Sequence, residues 1–410
     1  MKITFVIPNS PFLINEKVYP SLGVLYLSSY LKKHGFEDID IIDLDLDNKL
    51  PNNIDSKIVG FYSNTPQFPI VIRLVNEIKK INKDKGAIYV VGGPHVSGKP
   101  VDALEDFDLV VVGEGEQAIL EIAKKVDMNQ EFSERIIHND FIKDIDEIPF
   151  PDRSSIDIKS YKYNINNEDS TTLITSRGCP FSCTFCANNV WGKTIRLRSS
   201  MNIYEELIEL IEVYGYRAFM FFDDTMTINK RRMMEICDLI KKLGIVYRCF
   251  IRSDTVDPEM LRSMRESGCV EVGLGVESGS QKILDIVKKG QSVEKNLQAI
   301  KMCHDVGLRV KGFFIIGLPG ESHETVKETI SFLDLAKLED FDMTIFSPYP
   351  GSIIYGERDS LDINFEDNYE FSWYKGIPGS YRTTINTSSL TAEDILRYRD
   401  MLEGMFKSLT

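Results

Sequence analysis

The sequence predicts an α/β chain: an N-terminal doubly wound parallel sheet, then a six-stranded partial β/α barrel, then a small C-terminal cap. Three observations carry that reading. Short apolar runs alternate with helical segments, as in parallel sheets covered on both faces. The alternation has a short period up to about residue 125 and a longer one from Thr171. Three cysteines crowd one loop directly after the first strand of the second run, at the strand end where barrel chemistry is placed.

With 410 residues, 43% hydrophobic and 27% charged, the chain has material for more than one core. The formal net charge of −14 and pI near 5.0 argue against a nucleic-acid surface, which would carry a basic patch. Met1–Pro8 is too short an apolar run for a signal peptide, and no run of about 18 apolar residues occurs to span a membrane. Cys237, Cys249, Cys269 and Cys303 lie scattered on apolar segments and read as buried free thiols. Together these features indicate a reducing cytoplasm.

In the first unit, residues 1–130, strands are expected at Lys2–Ile7, Asp38–Asp43, Lys57–Tyr62, Ala87–Val91 and Asp108–Val112. Ser21–Lys33, Phe68–Lys80, Val101–Glu105 and Glu116–Lys125 have helical spacing. Five strands in that length suit a flavodoxin-like, doubly wound sheet, whose ligands bind beyond the carboxyl ends of the strands. Two glycine turns stand there: Gly92-Gly93-Pro94-His95 and Gly113-Glu114-Gly115-Glu116. Glycine permits close backbone approach or positive φ. There is no G-x-G-x-x-G fingerprint, which disfavours a dinucleotide.

Residues 131–168 are charged and punctuated by Ile148-Pro149-Phe150-Pro151, as in a linker. The barrel is expected over 169–350. Its strands are read at Thr172–Thr175, Ala218–Phe222, Tyr247–Ile251, Val270–Gly275, Arg309–Ile316 and Asp342–Phe346. Helices fall at Ile203–Tyr214, Lys230–Leu243, Pro258–Ser267, Gln281–Val287 with Val293–Val306, and Glu321–Lys337. Six βα units are too few to close an eight-stranded barrel. Residues 351–410 form the cap, with aromatics at Tyr355, Tyr369, Phe371, Trp373, Tyr374 and Tyr381 before a helix over Thr391–Ser408.

Cys179, Cys183 and Cys186 have C-x3-C-x2-C spacing. Three thiolates from one loop fit an iron–sulfur cluster or part of a zinc site, but zinc would want a fourth ligand and the loop holds no histidine. Polar groups recur at the other strand ends: Asp223-Asp224, Arg252-Ser253-Asp254, Glu277-Ser278 and Gly317-Leu318-Pro319-Gly320-Glu321. One such group alone reads as a solvated loop or a cap; their repetition around one cysteine loop reads as a site.

The cysteine spacing, with Phe185 before the last cysteine, resembles that of the radical S-adenosylmethionine (SAM) enzymes over about residues 170–350. The resemblance implies a 4Fe–4S cluster on Cys179, Cys183 and Cys186, with an open iron for SAM. It places Phe185 near the adenine, Asp223 or Asp224 on the methionyl amine, and Glu277 and Ser278 on the ribose and carboxylate. Arg252 becomes a polar partner, and Gly312–Leu318 an apolar wall beside adenine. The Asp-Asp pair departs from the family's more usual Gly-Gly-Glu.

A second resemblance covers Pro20–Leu27, Gly92–His95 and Phe107–Glu116, which look like the cobalamin-binding domain that precedes many radical SAM domains. It implies that Gly92, Gly93, Pro94, Gly113, Glu114 and Gly115 line the corrinoid's nucleotide tail. The D-x-H-x-x-G motif is absent; the stretch taken as its equivalent is Asp43-Leu44-Asp45-Leu46-Asp47-Asn48. A cobalt without a histidine beneath it suits methyl transfer, and a domain that kept the fold without the cofactor is the alternative. The arrangement resembles the group holding the anaerobic magnesium-protoporphyrin cyclase and the cobalamin-dependent radical SAM methyltransferases. It implies reductive SAM cleavage to a 5′-deoxyadenosyl radical and methylation of an unactivated carbon. Radical oxidation, cyclisation or rearrangement without methyl transfer is the alternative, and a non-enzymatic iron–sulfur or zinc protein a remote one. Implied partners are a small-molecule or peptide substrate and an electron donor such as flavodoxin or ferredoxin.

Overall fold

A computed structural model describes the chain except residues 12, 14, 48, 83–85, 367–380 and 408–410. Two compact units emerge: Met1–Lys162 with Ala187–Gly192 and Tyr349–Ser352, and Tyr163–Cys186 with Lys193–Pro348 and Ile353–Thr410.

The first unit runs β1 (Ile3–Ile7), α1 (Leu22–Lys33), β2 (Ile39–Asp43), α2 (Leu44–Asp47), β3 (Ile58–Tyr62), α3 (Phe68–Asn82), β4 (Ile88–Gly92), α4 (Pro94–Gly98), β5 (Leu109–Val112), α5 (Glu116–Asp127) and β6 (Ile136–His138). The strands are all parallel, in the order β2-β1-β3-β4-β5-β6. Val24 and Leu31 of α1 and Ala118, Ile119 and Ile122 of α5 share one core with Ile3, Phe5, Ile7, Ile58, Val90, Leu109 and Val111. The alternate residues Val6, Val59, Phe61, Val91 and Val110 are equally buried, so both faces of the sheet are covered, as parallel pairing requires.

Two differences from the sequence reading have local causes. β6 adds a sixth strand inside the stretch expected to be linker; three residues are too few to show a period. The helix expected at Val101–Glu105 is replaced by α4 and a short 3₁₀ turn, Pro100–Ala103. Pro94 and Pro100 each occupy the first turn of their segment, where proline's missing N–H costs nothing.

The second unit opens with a hairpin, β7 (Asn164–Ile165) and β8 (Glu168–Leu173). Asn166 and Asn167 both have positive φ, 52° and 65°, the left-handed pair a tight two-residue hairpin needs. The first barrel strand therefore begins at Glu168 rather than at Thr172. There follow β9 (Ser176–Arg177), β10 (Arg196–Leu197), α6 (Ser200–Glu212), β11 (Ala218–Phe221), α7 (Lys230–Ile240), β12 (Val246–Ile251), α8 (Pro258–Glu266), β13 (Cys269–Glu277), α9 (Gln281–Ile286), α10 (Val293–Asp305), β14 (Arg309–Ile316), α11 (His323–Ala336), β15 (Asp340–Ile345), α12 (Ile353–Gly356) and α13 (Ala392–Lys407).

The sheet order is β15-β14-β13-β12-β11-β8-β7, parallel from β8 to β15 with β7 antiparallel at the edge. This is the six-stranded partial barrel with a one-strand extension. Along β12, β14 and β15 burial alternates strictly. Asp257 caps α8, accepting from the N–H groups of Glu259 and Met260, with Pro258 at the first helical position.

At the free edge, α13 lies against β15: Glu403 Oε1 accepts from Met343 N (3.3 Å) and Arg399 Nε donates to Met343 O (3.4 Å). Side chains thus satisfy backbone groups that an uncovered edge strand would expose. Thr391 and Asp394 cap the helix reciprocally. Of the C-terminal aromatics, Tyr381 stacks under Arg399 (3.4 Å) and Tyr355 lies beside Phe365 and Arg358. Tyr369, Phe371, Trp373, Tyr374 and Ser408 lie outside the described residues.

Candidate functional site

The cysteines stand on the connection that leaves β8. β9 pairs antiparallel with β10, so a two-residue ladder closes the neck of the segment that carries them. Beneath the neck lies Asp223, fully buried. Its carboxylate accepts from Thr175 N (2.6 Å), Thr175 Oγ1 and Ser176 Oγ (2.7 Å). Arg232 Nη2 donates to Thr175 O (2.6 Å), and Arg198 N donates to the same carbonyl (3.0 Å). A second brace comes from further along the chain. Thr184 N donates to Val287 O (2.9 Å), and Ile354 N donates to Thr184 O (3.1 Å). The segment between α9 and α10 therefore straps the cysteine loop in place.

Within this frame Cys179 and Cys183 are half-buried and Cys186 is exposed. Solvent reaches Cys186, yet the protein packed around it desolvates the thiol, and this, then Asp224 and the other two cysteines, pushes it up to about 12; Cys179 is raised chiefly by burial. The surroundings of Cys179 and Cys186 favour their protonated thiols, so metal ligation by these two would release protons. Among the described residues no three His, Cys, Asp or Glu side chains converge to hold a single metal ion. In a cubane cluster each cysteine binds a different iron, so three separate thiols suit a 4Fe–4S centre better than one zinc ion.

The two aspartates after β11 divide sharply. Asp223 is committed to the scaffold. The Asp224 carboxylate has no hydrogen-bond or ion-pair partner among the described residues, only its backbone carbonyl accepting, from Thr225 Oγ1 (2.7 Å). Solvent reaches it, yet protein crowds it closely enough that desolvation, followed by Asp223, pushes its carboxyl up to about 6.

β13 ends on a register shift between Gly275 and Glu277, and Glu277 has φ +65°. That left-handed backbone is unusual for a non-glycine residue and marks functional sites. Glu277 Oε1 accepts from Lys289 Nζ at 2.6 Å in a buried pair, and Lys289 Nζ lies 5.9 Å from the half-buried Phe185 ring. Ser278 is buried, its Oγ accepting from Ser280 N (3.1 Å) and lying 3.3 Å from Thr329 Oγ1. Arg252 is clamped on Asp254 and reaches the cysteine loop.

Leu318 is fully buried behind Gly317, where β14 turns at φ +89°. Glu321, also buried, accepts from the N–H groups of Gly317 and Leu318. Burial pushes its carboxyl up to about 7 from an ordinary 4.5, although those N–H groups pull it down. The folded state holds this proton more tightly than the unfolded chain. The group's contribution to stability is thus fully present below about pH 4.5 and is lost as pH rises through about 7. Glu321→Gln keeps an acceptor without the charge. It is expected to raise the thermal midpoint near pH 8 and leave it unchanged near pH 4, read by scanning calorimetry; equal shifts at both pH values would contradict the assignment.

In the first unit the sheet reverses direction of growth at β1, flanked by β2 and β3, and ligands of such sheets enter at that switch point. The loops there are tied together: Gln67 Nε2 donates to Pro8 O (3.1 Å) and Ser10 Oγ (2.9 Å), and Ser10 N donates to Asp45 Oδ1 (2.9 Å). The Asp43–Asp47 stretch runs from the last residue of β2 through α2, one strand away from the switch point. Tyr161 donates to Asp43, and burial followed by Asp43 pushes Asp45 up to about 7. Asn48 lies outside the described residues. The loop after β1, Pro8-Asn9-Ser10-Pro11, holds no histidine either. His95 is buried, stacked on Phe68 at 3.9 Å with Nε2 3.6 Å from Asp102.

The glycine turns are joined to one another, since Gly113 N donates to Ser97 Oγ of α4 (3.0 Å). Gly92 ends β4, and Pro94 begins α4. Gly93 has φ +117°, and a Cβ on it would stand 2.5 Å from Ser63 O. Gly113 turns at φ +87°, a Cβ on Gly115 would meet Leu27 at 2.9 Å, and buried Glu114 accepts from Ile142 N. Gly93→Ala must therefore strain the backbone and displace the β3 loop. We expect a loss of about 2–3 kcal/mol in denaturant unfolding; a loss within ~0.5 kcal/mol would mean the turn re-forms freely.

Sequence reading missed Thr175 and Ser176, which fix Asp223, and Lys289, which sits under Glu277. Lys288-Lys289-Gly290 offers only a cation beside a glycine turn, and its importance arises from the strap.

Residues 173–333 match the radical SAM superfamily and residues 16–123 the B12 binding domain. An uncharacterized methyltransferase of Pyrococcus horikoshii is 32% identical over 382 residues, 87% of this chain and 82% of that protein. The anaerobic magnesium-protoporphyrin IX monomethyl ester cyclase of Rubrivivax gelatinosus is 27% identical, covering 90% of this chain and 72% of its own. Among solved structures, the radical SAM methyltransferase TsrM of Kitasatospora setae, with cobalamin and a 4Fe–4S cluster bound, superposes with a TM-score of 0.71. That match has 15% identity and covers 90% of this chain and 81% of TsrM. The chain belongs to the radical SAM superfamily, with a B12-binding domain ahead of its barrel, and its cofactors are a 4Fe–4S cluster, SAM and cobalamin.

Proposed function

We propose that this enzyme methylates an unactivated carbon of a small-molecule or peptide substrate. The observation that carries the reading is the ligand end of the first unit's sheet: neither the loop after β1 nor the Asp43–Asp47 stretch has a histidine, and His95 is buried against Phe68. A corrinoid held there would find no histidine on these segments to ligate its cobalt, a setting suited to supplying a methyl group. The Pyrococcus horikoshii relative and TsrM are both named methyltransferases, while the Rubrivivax gelatinosus relative is named a cyclase. When bound, the cluster and SAM supply a carbon-centred radical, and the corrinoid supplies the methyl group.

The chain's own residues bind and orient. Cys179, Cys183 and Cys186 hold the cluster. Asp224, the aspartate left free after β11, takes the SAM amine, and Asp223 maintains the loop. Phe185 and Leu318 border the adenine; Glu277 faces the ribose from its pair with Lys289. Gly92, Gly93, Pro94, Gly113 and Gly115 give the corrinoid tail close backbone approach. Ser278, Glu114 and Arg252 serve the scaffold around these groups. Among the described residues no helix is long and apolar enough to cross a membrane. Acidic charge and buried thiols suit a cytoplasmic enzyme fed by a flavodoxin- or ferredoxin-type donor, without a nucleic-acid partner.

Anaerobically reconstituted enzyme with cobalamin, SAM and titanium(III) citrate tests the reading without its substrate. We expect both S-adenosylhomocysteine, from methylation of cobalt, and 5′-deoxyadenosine. 5′-Deoxyadenosine alone would favour oxidation or cyclisation; neither product would sink both.

A further inference from the structure

Arg252 follows β12 and is buried. Its donors are almost fully assigned. Nε and Nη2 reach the two oxygens of Asp254, each at 3.0 Å, and Nη2 also donates to Lys289 O at 2.9 Å. Nη1 donates to Cys183 Sγ at 3.8 Å, within range for a sulfur acceptor. Four of the five guanidinium N–H groups are thereby directed into the protein. The guanidinium plane also stacks on Phe181, its central carbon 3.4 Å from the ring centroid. Phe181 lies between the first two cysteines, so this one cation is fixed against the loop from two sides. Asp254 is itself held by Gln291 Nε2 (3.2 Å), on the strap that braces Thr184. A group arranged in this way is poorly placed to swing out and grip a substrate carboxylate.

We propose that Arg252 is a positioning residue for the iron–sulfur cluster: it holds a cationic N–H on the Cys183 sulfur and raises the cluster's reduction potential, rather than binding SAM. The inference rests on Cys179, Cys183 and Cys186 being the cluster ligands. Hydrogen bonds to cluster sulfurs, local charge and solvent exposure set such potentials. A fixed cation beside a thiolate favours the reduced, more negative cluster. Asp254 works against the cation electrostatically while fixing its direction.

The experiment is an anaerobic redox titration of the reconstituted holoenzyme, followed by EPR of the one-electron-reduced cluster with dithionite as reductant. Iron and sulfide content are measured in parallel, and SAM affinity is read from the perturbation of the EPR signal. Arg252→Gln is expected to load the cluster, to move the midpoint to a more negative potential, and to leave SAM affinity within about twofold. Asp254→Asn removes the opposing charge and is expected to move the midpoint the other way. Loosening of the fold alone would shift both variants in the same direction. An unchanged midpoint in Arg252→Gln, or a tenfold weaker SAM affinity at constant potential, would overturn the proposal, the latter returning Arg252 to SAM. If Arg252→Gln does not load the cluster, Asp254→Asn decides: a positive shift supports the proposal and no shift refutes it. Wild-type protein without a cluster would instead overturn the ligand assignment on which the inference rests.

Discussion

Cys183→Ala is expected to leave iron and acid-labile sulfide at background after anaerobic reconstitution and to reduce SAM cleavage to the rate without enzyme. The loop supplies three thiols, and the substitution leaves two, one short of the set that holds the cluster in the proposed assignment. The fold should survive. The residue is half-buried, and its hydrogen-bonded partner Arg252 keeps Asp254, Lys289 O and Phe181. A thermal midpoint close to that of the unloaded wild type, together with the loss of iron, is the expected signature. Retention of a full cluster would overturn the assignment of the loop.

The two adjacent aspartates should behave as opposites. Asp223→Ala removes the acceptor for the Thr175 N–H and two hydroxyls inside a fully buried space. Buried donors left without partners cost about 1–3 kcal/mol each, and such effects are not additive. We expect about 3–5 kcal/mol in denaturant unfolding, with cluster loading falling because the neck of the cysteine loop loses its anchor. Asp224→Asn has no hydrogen bond to break. Its stability should change by less than ~0.5 kcal/mol, while SAM affinity falls by about 1–3 kcal/mol, or roughly fivefold to 150-fold. The pH dependence separates them further. In the proposed role only the ionised carboxyl of Asp224 would attract the SAM amine, and that carboxyl is raised to about 6. Wild-type affinity for SAM should therefore strengthen as pH rises through about 6 and level off above 7, and Asp224→Asn should flatten the profile. Weaker SAM binding in Asp223→Ala without loss of stability would reverse the roles of the pair.

The sequence was most legible where a property is local. Cysteine spacing needs one loop, and apolar runs such as Ile3–Ile7 or Leu109–Val112 need one sheet; both the doubly wound sheet and the partial barrel followed from these. β8 starts four residues before the Thr172 that the apolar pattern indicates, because the polar Glu168-Asp169-Ser170 carries no strand signal; the Asn166-Asn167 turn and its pairing with β7 make it one. β6 is too short to announce itself. The site's finer division was invisible for a different reason. Asp223 and Asp224 are identical in chemistry and adjacent in sequence. Only the strand pleat and the position of Thr175, 48 residues upstream, turn one inward and leave the other free. Lys289 is the same case at longer range.

The strap has a consequence for how the enzyme is made. Cys186 is synthesised well before Val287, the carbonyl that takes the Thr184 N–H, and before Lys289, the carbonyl that takes Arg252. A chain growing at about 5–20 residues per second therefore holds its three thiols on an unbraced loop for several seconds, open to oxygen and to stray metals. The native seat is complete only when the fourth strand of the barrel and the turn after α9 have emerged. The braced form of the loop is thus available only late in synthesis.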